Sequence, residues 1–239
     1  MQDMTQSISH PFPALQVLAE RAVLPEVLIG LEKALVKLGI EYTPVGQRFL
    51  LGRELELFER NGLRQFCAVR SHDLAILPPN FSADVLQVLA MDMDSTLINI
   101  ECIDEIADFA GKKAAVAEIT AATMRGEIVN FSESLSKRVA LLAGVPQTAL
   151  HSVYEQRLQL NPGAELLIAG AHERHMHTLL VSGGFTFFTG RIQERLHLSE
   201  THSNELEIVD GVLTGRVLGE IVDGTAKNHC VVSACTTLG

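Results

Sequence analysis

The chain has 239 residues, 47% of them hydrophobic, and 19 Lys and Arg against 29 Asp and Glu give a formal net charge of −10 at pH 7. That length suffices for a full buried core, and the apolar content excludes an intrinsically disordered protein. The acidic balance argues against a bulk phosphate-binding surface for DNA or RNA, which would be electropositive; no nucleic-acid partner is expected, and an anionic ligand needs a local cluster of cations. Residues 1–10 lack a basic stretch followed by an apolar run, so no signal peptide is indicated. No uninterrupted apolar run reaches the ~18 residues of a membrane span. Cys67, Cys102, Cys230 and Cys235 form no CxxC pair and read as reduced thiols, which predicts a soluble cytoplasmic protein without a membrane partner.

Residues 1–80 read as a small α/β module. Val27, Leu28, Leu31, Ala34, Leu35 and Leu38 recur at helical spacing, and Gly39 suits a C′ stop. Stretches near 40–51 and 65–77 look extended and predict strands that pair in a sheet, and Pro78-Pro79-Asn80 then reads as a linker. No pattern in this segment carries chemistry, and its expected role is packing or regulation.

Residues 85–91 form a nearly continuous apolar run, typical of a strand buried on both faces, which stops at Asp92. A long helical region follows. Ile103, Ile106, Ala107 and Ala110 share one face before Gly111. Leu135, Val139 and Leu142 mark a helix closed by Gly144, and Leu150, Val153 and Leu158 mark another. Asn161-Pro162 predicts an N-cap with proline at the first helical position, opening a helix to about residue 173. Thr178-Leu179-Leu180-Val181 predicts a second apolar strand ending at Ser182-Gly183-Gly184. Asp210-Gly211, between alternating apolar runs, predicts a hairpin over 204–218. The string EIVDG occurs at 207–211 and again at 220–224, too short for a repeat architecture, and is read as turn chemistry. Buried strands alternating with helices predict an α/β fold with a parallel sheet and right-handed crossovers, whose ligands bind at the carboxyl ends of strands. Asp92 and Ser182 both stand at such ends.

The sharpest chemical feature is Asp92-Met93-Asp94-Ser95-Thr96-Leu97. Two carboxylates two residues apart at a strand terminus can be aimed into one crevice, although a DxD string alone also fits an ordinary turn in which Asp94 caps a helix. Ser182-Gly183-Gly184 after the second strand suits phosphate binding, because a hydroxyl donates to a phosphoryl oxygen and glycine lets backbone N–H groups approach closely. His172, His175 and His177 lack the Cys or carboxylate set that completes a zinc site and read as surface histidines.

The run from Asp92 to Ile98 resembles the DxDxT signature of the haloacid dehalogenase-like phosphohydrolases. The likeness extends to their phosphoserine phosphatase branch through Asn99-Ile100-Glu101-Cys102-Ile103-Asp104-Glu105, Ser136-Lys137-Arg138, Leu180-Val181-Ser182-Gly183-Gly184-Phe185 and the hairpin from Asn204. It covers about residues 85–239 and not 1–80. The resemblance implies a Rossmann-like core at 81–100 and 161–239 with a helical cap inserted at 101–160. It implies O-phosphoserine as a small-molecule substrate in serine biosynthesis, with Asp92 as nucleophile and Asp94 as general acid and then base. A carboxylate ~4 Å from a phosphate dianion, at an effective dielectric of ~20, feels roughly 8 kcal/mol of repulsion, so a divalent cation and a lysine are required. Mg²⁺ held by Asp92 and Asp94 suits that task, and Lys227, the one lysine after Lys137, matches the family's phosphate clamp. Ser182 and Gly183 match its phosphate-binding turn. Glu101 matches the residue that meets the substrate amino group, and Arg138 the one that forks onto its carboxylate. Met124 and Phe131 are expected as apolar lid residues. Taken without the resemblance, Glu101 fits a helix N-terminal acid and Arg138 a solvated face.

The family pattern continues, beyond the helix carrying Lys227, with a further strand and a GDGxND-type loop whose aspartate completes the Mg²⁺ site. Residues 224–239 contain no Asp or Glu. A truncated, catalytically impaired member or a non-catalytic phospho-ligand binder therefore stands as one alternative expectation, and another phosphatase or phosphotransferase of the superfamily as a second.

Overall fold

The computed structural model describes residues 11–19 and 22–238. The chain divides into two compact units, Met1–Ala83 and Asp84–Gly239.

The first unit runs β1 (Ala14–Leu18), α1 (Pro25–Lys37), β2 (Tyr42–Val45), β3 (Arg48–Leu51), α2 (Leu57–Ala68) and β4 (Asp73–Leu77). Its sheet has the order β2-β3-β1-β4 with every neighbouring pair antiparallel, the βαββαβ arrangement of ferredoxin-like folds. Pro25 opens α1 where a missing N–H is harmless. Val27, Leu31 and Leu35 then fall on one face and bury against Leu15, Val17, Phe49, Leu51 and Leu74. One expectation is corrected here: residues 65–68 are helical, not extended. They close α2, which begins at a reciprocal Glu56–Glu59 capping box and turns Leu63 and Cys67 into the same core.

The second unit runs β5 (Val88–Met91), α3 (Cys102–Phe109), α4 (Lys113–Met124), α5 (Phe131–Ala140), α6 (Thr148–Gln156), α7 (Ala164–Glu173), β6 (His177–Phe185), α8 (Thr186–Leu196), β7 (Glu200–Val209), β8 (Val212–Leu218) and α9 (Gly224–Leu238). The sheet order is β5-β6-β7-β8. The first three strands are parallel, and β8 returns antiparallel through the Asp210-Gly211 turn, both of whose residues have positive φ. The α/β fold with a mainly parallel sheet is as the sequence implies.

Two local expectations fail for identifiable reasons. The strand expected at 85–91 is ordered as β5 only from Val88, and its residues are half-buried or exposed, because β5 pairs on one side alone with β6. Asn161 does not cap α7; Gly163, at φ 87°, holds the N-cap position. Asn161 instead donates through Nδ2 to the carbonyls of Thr96 (2.7 Å) and Ile98 (3.1 Å), tying the start of α7 to the turn after β5.

The β7–β8 hairpin braces α5 and the loop that follows it. Gly144 N donates to Leu213 O and Leu213 N to Val145 O, both at 2.8 Å. Gly215, at φ 85°, lets β8 approach α5: a Cβ there would lie 3.0 Å from Ala143 Cβ and 3.1 Å from Ala140 O. Gly215→Ala is expected to lower unfolding stability by about 2 kcal/mol, through left-handed strain and the clash with α5 backbone. Urea denaturation with an unchanged m-value is the check; an unaltered midpoint would contradict the packing argument.

Candidate active site

β5 ends at Met91, and the chain turns immediately. Asp92 accepts a hydrogen bond from Met93 N through Oδ1 (2.8 Å), and Ile98 N reaches back to Met93 O (3.1 Å). Within this turn Ser95 adopts φ 52°, a left-handed conformation that is uncommon for a residue with a side chain. Ser95 N donates to Ile100 O (3.0 Å) and its hydroxyl to Glu101 Oε1 (2.7 Å). The turn therefore anchors Glu101, which stands at the N-cap position of α3.

The two aspartates meet different surroundings. Asp92 is partly exposed, and its Oδ2 accepts from Lys227 Nζ at 2.7 Å. Asp94 points inward; its Oδ2 accepts from Cys102 N (3.2 Å), while Oδ1 is buried with no hydrogen-bond partner among the described residues. Burial pushes the Asp94 carboxyl up to about 6. Hydrogen bonds from Cys102 oppose this, and the negative charges of Glu101 and Asp92 add to it.

Facing these carboxylates is the end of β6. Ser182 is fully buried, and its Oγ accepts from Gly184 N (2.9 Å). Glycine lets neighbouring side chains approach closely twice. A Cβ at Gly183 would fall 2.9 Å from the Phe131 ring, and one at Gly184 would fall 2.8 Å from Met93 Cε and 3.3 Å from Asp94 Oδ2. Lys227 arrives from α9, whose first turn is capped by Asp223: its Oδ1 accepts from Thr225 N and Ala226 N, both at 2.9 Å. Arg138 projects from α5 and is half-buried. Desolvation draws its guanidinium below the ordinary value, against the pull of Asp104, Glu101 and Asp94.

All seven residues expected at the site, Asp92, Asp94, Glu101, Arg138, Ser182, Gly183 and Lys227, line one cavity of about 320 Å³, at the small end of the range for ligand pockets. Phe131 lines it as well; Met124 does not and is 86% exposed. The sequence reading missed Ile103, Leu135, Phe185, Val222, Asp223 and Gly224. The last three belong to the second EIVDG string, which is therefore more than a turn of convenience. Among the described residues no three His, Cys, Asp or Glu side chains gather as a metal site, so a cation held here would rest on two carboxylates. The histidine reading needs one correction: His177 is half-buried and contacts Glu200 (3.1 Å) rather than standing free on the surface.

The arrangement offers a carboxylate paired with a cation, an inward-turned carboxyl whose pKa is raised to about 6, and small donors at a strand end. That set matches phosphoryl transfer. Residues 89–239 match the haloacid dehalogenase-like hydrolase family. A phosphoserine phosphatase from Polaromonas sp. is 51% identical over 168 residues, spanning 69% of this chain and 71% of that protein. A HAD family hydrolase from Salmonella enterica serovar Typhi superposes with a TM-score of 0.80 at 25% identity, covering 98% of this chain and 80% of that one. A phosphoserine phosphatase structure described as a phospho-aspartyl intermediate analogue gives a TM-score of 0.60 at 37% identity, over 64% of this chain and 73% of that one.

Because the folded-state pKa of Asp94 is raised, folding binds a proton there between about pH 4 and 6, and the charged form destabilises the fold above that window. In cation-free buffer at pH 7.5, Asp94→Asn is expected to raise unfolding stability by about 2 kcal/mol, the gain vanishing as pH falls towards 4. Urea titrations at both pH values are the measurement, and a substitution that destabilises at pH 7.5 would refute the burial argument.

Proposed function

We propose that this chain, which belongs to the haloacid dehalogenase-like hydrolase family, is a phosphoserine phosphatase that hydrolyses O-phosphoserine to serine and phosphate through an aspartyl-phosphate on Asp92. The observation that carries the reading is the convergence of Asp92, Asp94, Ser182, Gly183 and Lys227 with Glu101 and Arg138 around one small cavity. The identity to named phosphoserine phosphatases supports it. In this reading residues 101–160 form a cap over a core made by 81–100 and 161–239. The four unpaired thiols are in keeping with a reducing, cytoplasmic setting.

The phosphate end of the substrate lies between the 182–184 bend and Lys227. An Asp92 oxygen attacks phosphorus, the bond from phosphorus to the serine oxygen breaks, and that oxygen takes the electron pair and the proton of Asp94. Asp94 then removes a proton from water, whose oxygen attacks phosphorus. The bond to Asp92 breaks, the carboxylate is restored and inorganic phosphate leaves. One group cannot be attacked and donate a proton in the same step, which is why the second carboxyl is needed. Its burial is what keeps a proton on it at a pH where an ordinary aspartate has none.

The donor chemistry fits Mg²⁺: two hard carboxylates face one cavity, and Asp94 Oδ1 is buried and unpaired. Asp92, through its carboxylate, and Asp94, through an oxygen that leaves its carboxyl free to carry the proton, are the residues that would hold the ion, which would neutralise charge on the phosphoryl oxygens. The other end of the substrate is an amino acid. Glu101, fixed by Ser95, faces its ammonium, and the Arg138 fork faces its carboxylate.

Incubation with phosphoserine and Mg²⁺ is expected to release phosphate, with Asp92→Asn reducing kcat by about 10⁴-fold or more. Phosphoserine that binds calorimetrically without being turned over would sink the catalytic reading. Arg138→Ala is expected to raise KM for phosphoserine roughly 10- to 100-fold while leaving phenyl phosphate hydrolysis little changed. Equal losses on both substrates would remove Arg138 from carboxylate recognition and point to a different phosphate ester.

A further inference from the structure

β6 and β7 pair regularly from Leu179 with Glu200 to Val181 with His202; the register then slips and resumes at Phe185 with Asn204. The slip makes the bend at 182–184 whose residues line the cavity. Behind the bend lies Asn204, 1% exposed and absent from the cavity wall. Its Nδ2 donates to Gly183 O (2.8 Å) and Gly184 O (3.3 Å), and its Oδ1 accepts from Val222 N (2.8 Å). One side chain thus supplies partners where the strand pairing slips and ties the strand end to the segment that enters α9.

Both attachments bear on the phosphate end of the site. The Gly183 carbonyl and the Gly184 N–H belong to one planar peptide and point in opposite directions. Fastening the carbonyl to Asn204 directs the N–H at Ser182 Oγ, 2.9 Å away. That bond fills an acceptor position of the hydroxyl, whose own proton has no acceptor among the described residues and is left for a ligand. On the other side, Val222 directly precedes Asp223, the cap of α9, and one turn later Lys227 reaches Asp92.

We propose that Asn204 is a positioning residue for phosphate recognition, holding the 182–184 bend and the entry to α9 at a fixed spacing so that Ser182 and Lys227 meet the same anion. The role rests on the phosphatase reading above, but it concerns affinity and is separable from turnover. The test is calorimetric titration of the full chain, in Mg²⁺ buffer, with inorganic phosphate. Asn204→Asp keeps the acceptor for Val222 and loses the donors; Asn204→Leu loses both without adding charge. Each is expected to weaken phosphate binding about tenfold. Thr178→Val, which deletes buried hydrogen bonds to Ser199 at the opposite end of β6, serves as the structural comparator and is expected to leave affinity unchanged. Unaltered affinity in the two Asn204 variants, or an equal loss in Thr178→Val, would overturn the assignment while leaving the phosphatase reading intact. A wild-type chain that binds no phosphate would overturn that reading and this role with it. Should the variants not fold, the wild-type Asn204 side-chain amide decides: its NMR signals are expected to shift and to exchange more slowly on phosphate addition, and unchanged signals would refute the coupling.

Discussion

The contact on which the site depends is the ion pair between Asp92 and Lys227, 2.7 Å long and joining residues 135 positions apart. With 43% of the aspartate and 31% of the lysine side chain exposed, it contributes little to stability, because solvent screens such pairs. Its consequence is electrostatic arrangement. In the proposed reaction an anionic nucleophile meets an anionic substrate, and Lys227 is the cation placed beside Asp92 for that meeting. Everything that fixes its reach, from the Asp223 cap to the Asn204 tie at Val222, follows from that requirement.

Asp94 illustrates the opposite environment on the same turn. Its carboxyl is buried with one oxygen unpaired, a placement that lowers the stability of the fold when ionised. The left-handed Ser95 beside it adds backbone strain. Such features persist only where the surrounding structure over-determines them, and here Cys102 N, Ile100 O and the buried Met93 do so. Two aspartates separated by one residue are thereby sorted, one paired with a cation, the other with an inward-turned carboxyl that retains its proton. That sorting is what a two-step displacement needs from two chemically identical groups.

Much of this is legible in the sequence, and unevenly so. Apolar strands ending in Asp92 and in Ser182-Gly183-Gly184 identify the sheet and the edge where ligands bind, because buried parallel strands and their carboxyl ends are local properties of the sequence. Lys227, Glu101 and Arg138 carry no such local mark. Each is an ordinary charged residue at a helix, and family resemblance rather than spacing singled them out. Asn204 enters the sequence reading only as the first residue of the hairpin: it shares the inward face of β7 with Leu206, but nothing local shows that the register slip in β6 leaves carbonyls there for its amide to bond. The two EIVDG strings show how context decides. Followed by Val212 and Leu213 the string closes a hairpin, and followed by Thr225 and Ala226 its aspartate caps a helix. In the first unit, α2 was hidden because its apolar face is narrow: Leu63 and Cys67 bury, while Leu57 and Phe58 stay exposed.

The division of labour within the cavity has a structural cause. Groups that face the phosphate end come from strand ends and the start of α9, which the parallel sheet holds from below. Groups that face the opposite end in that reading, Glu101 and Arg138, come from the N-cap of α3 and from α5, in the helical segment between β5 and α7. These are not free to drift from the sheet: Asn99 and Gln159 bond to each other at the two ends of the helical segment, and the β8 strand packs against α5 through Gly215 and bonds the loop that follows it. The hairpin therefore does for Arg138 what Asn204 does for Ser182, setting a distance from outside the cavity. Selectivity for one small phosphate ester over another is then a matter of the span between these two braced ends. In the proposed reading that span is set from outside the cavity, by the Asn204 amide, backbone hydrogen bonds and a glycine contact.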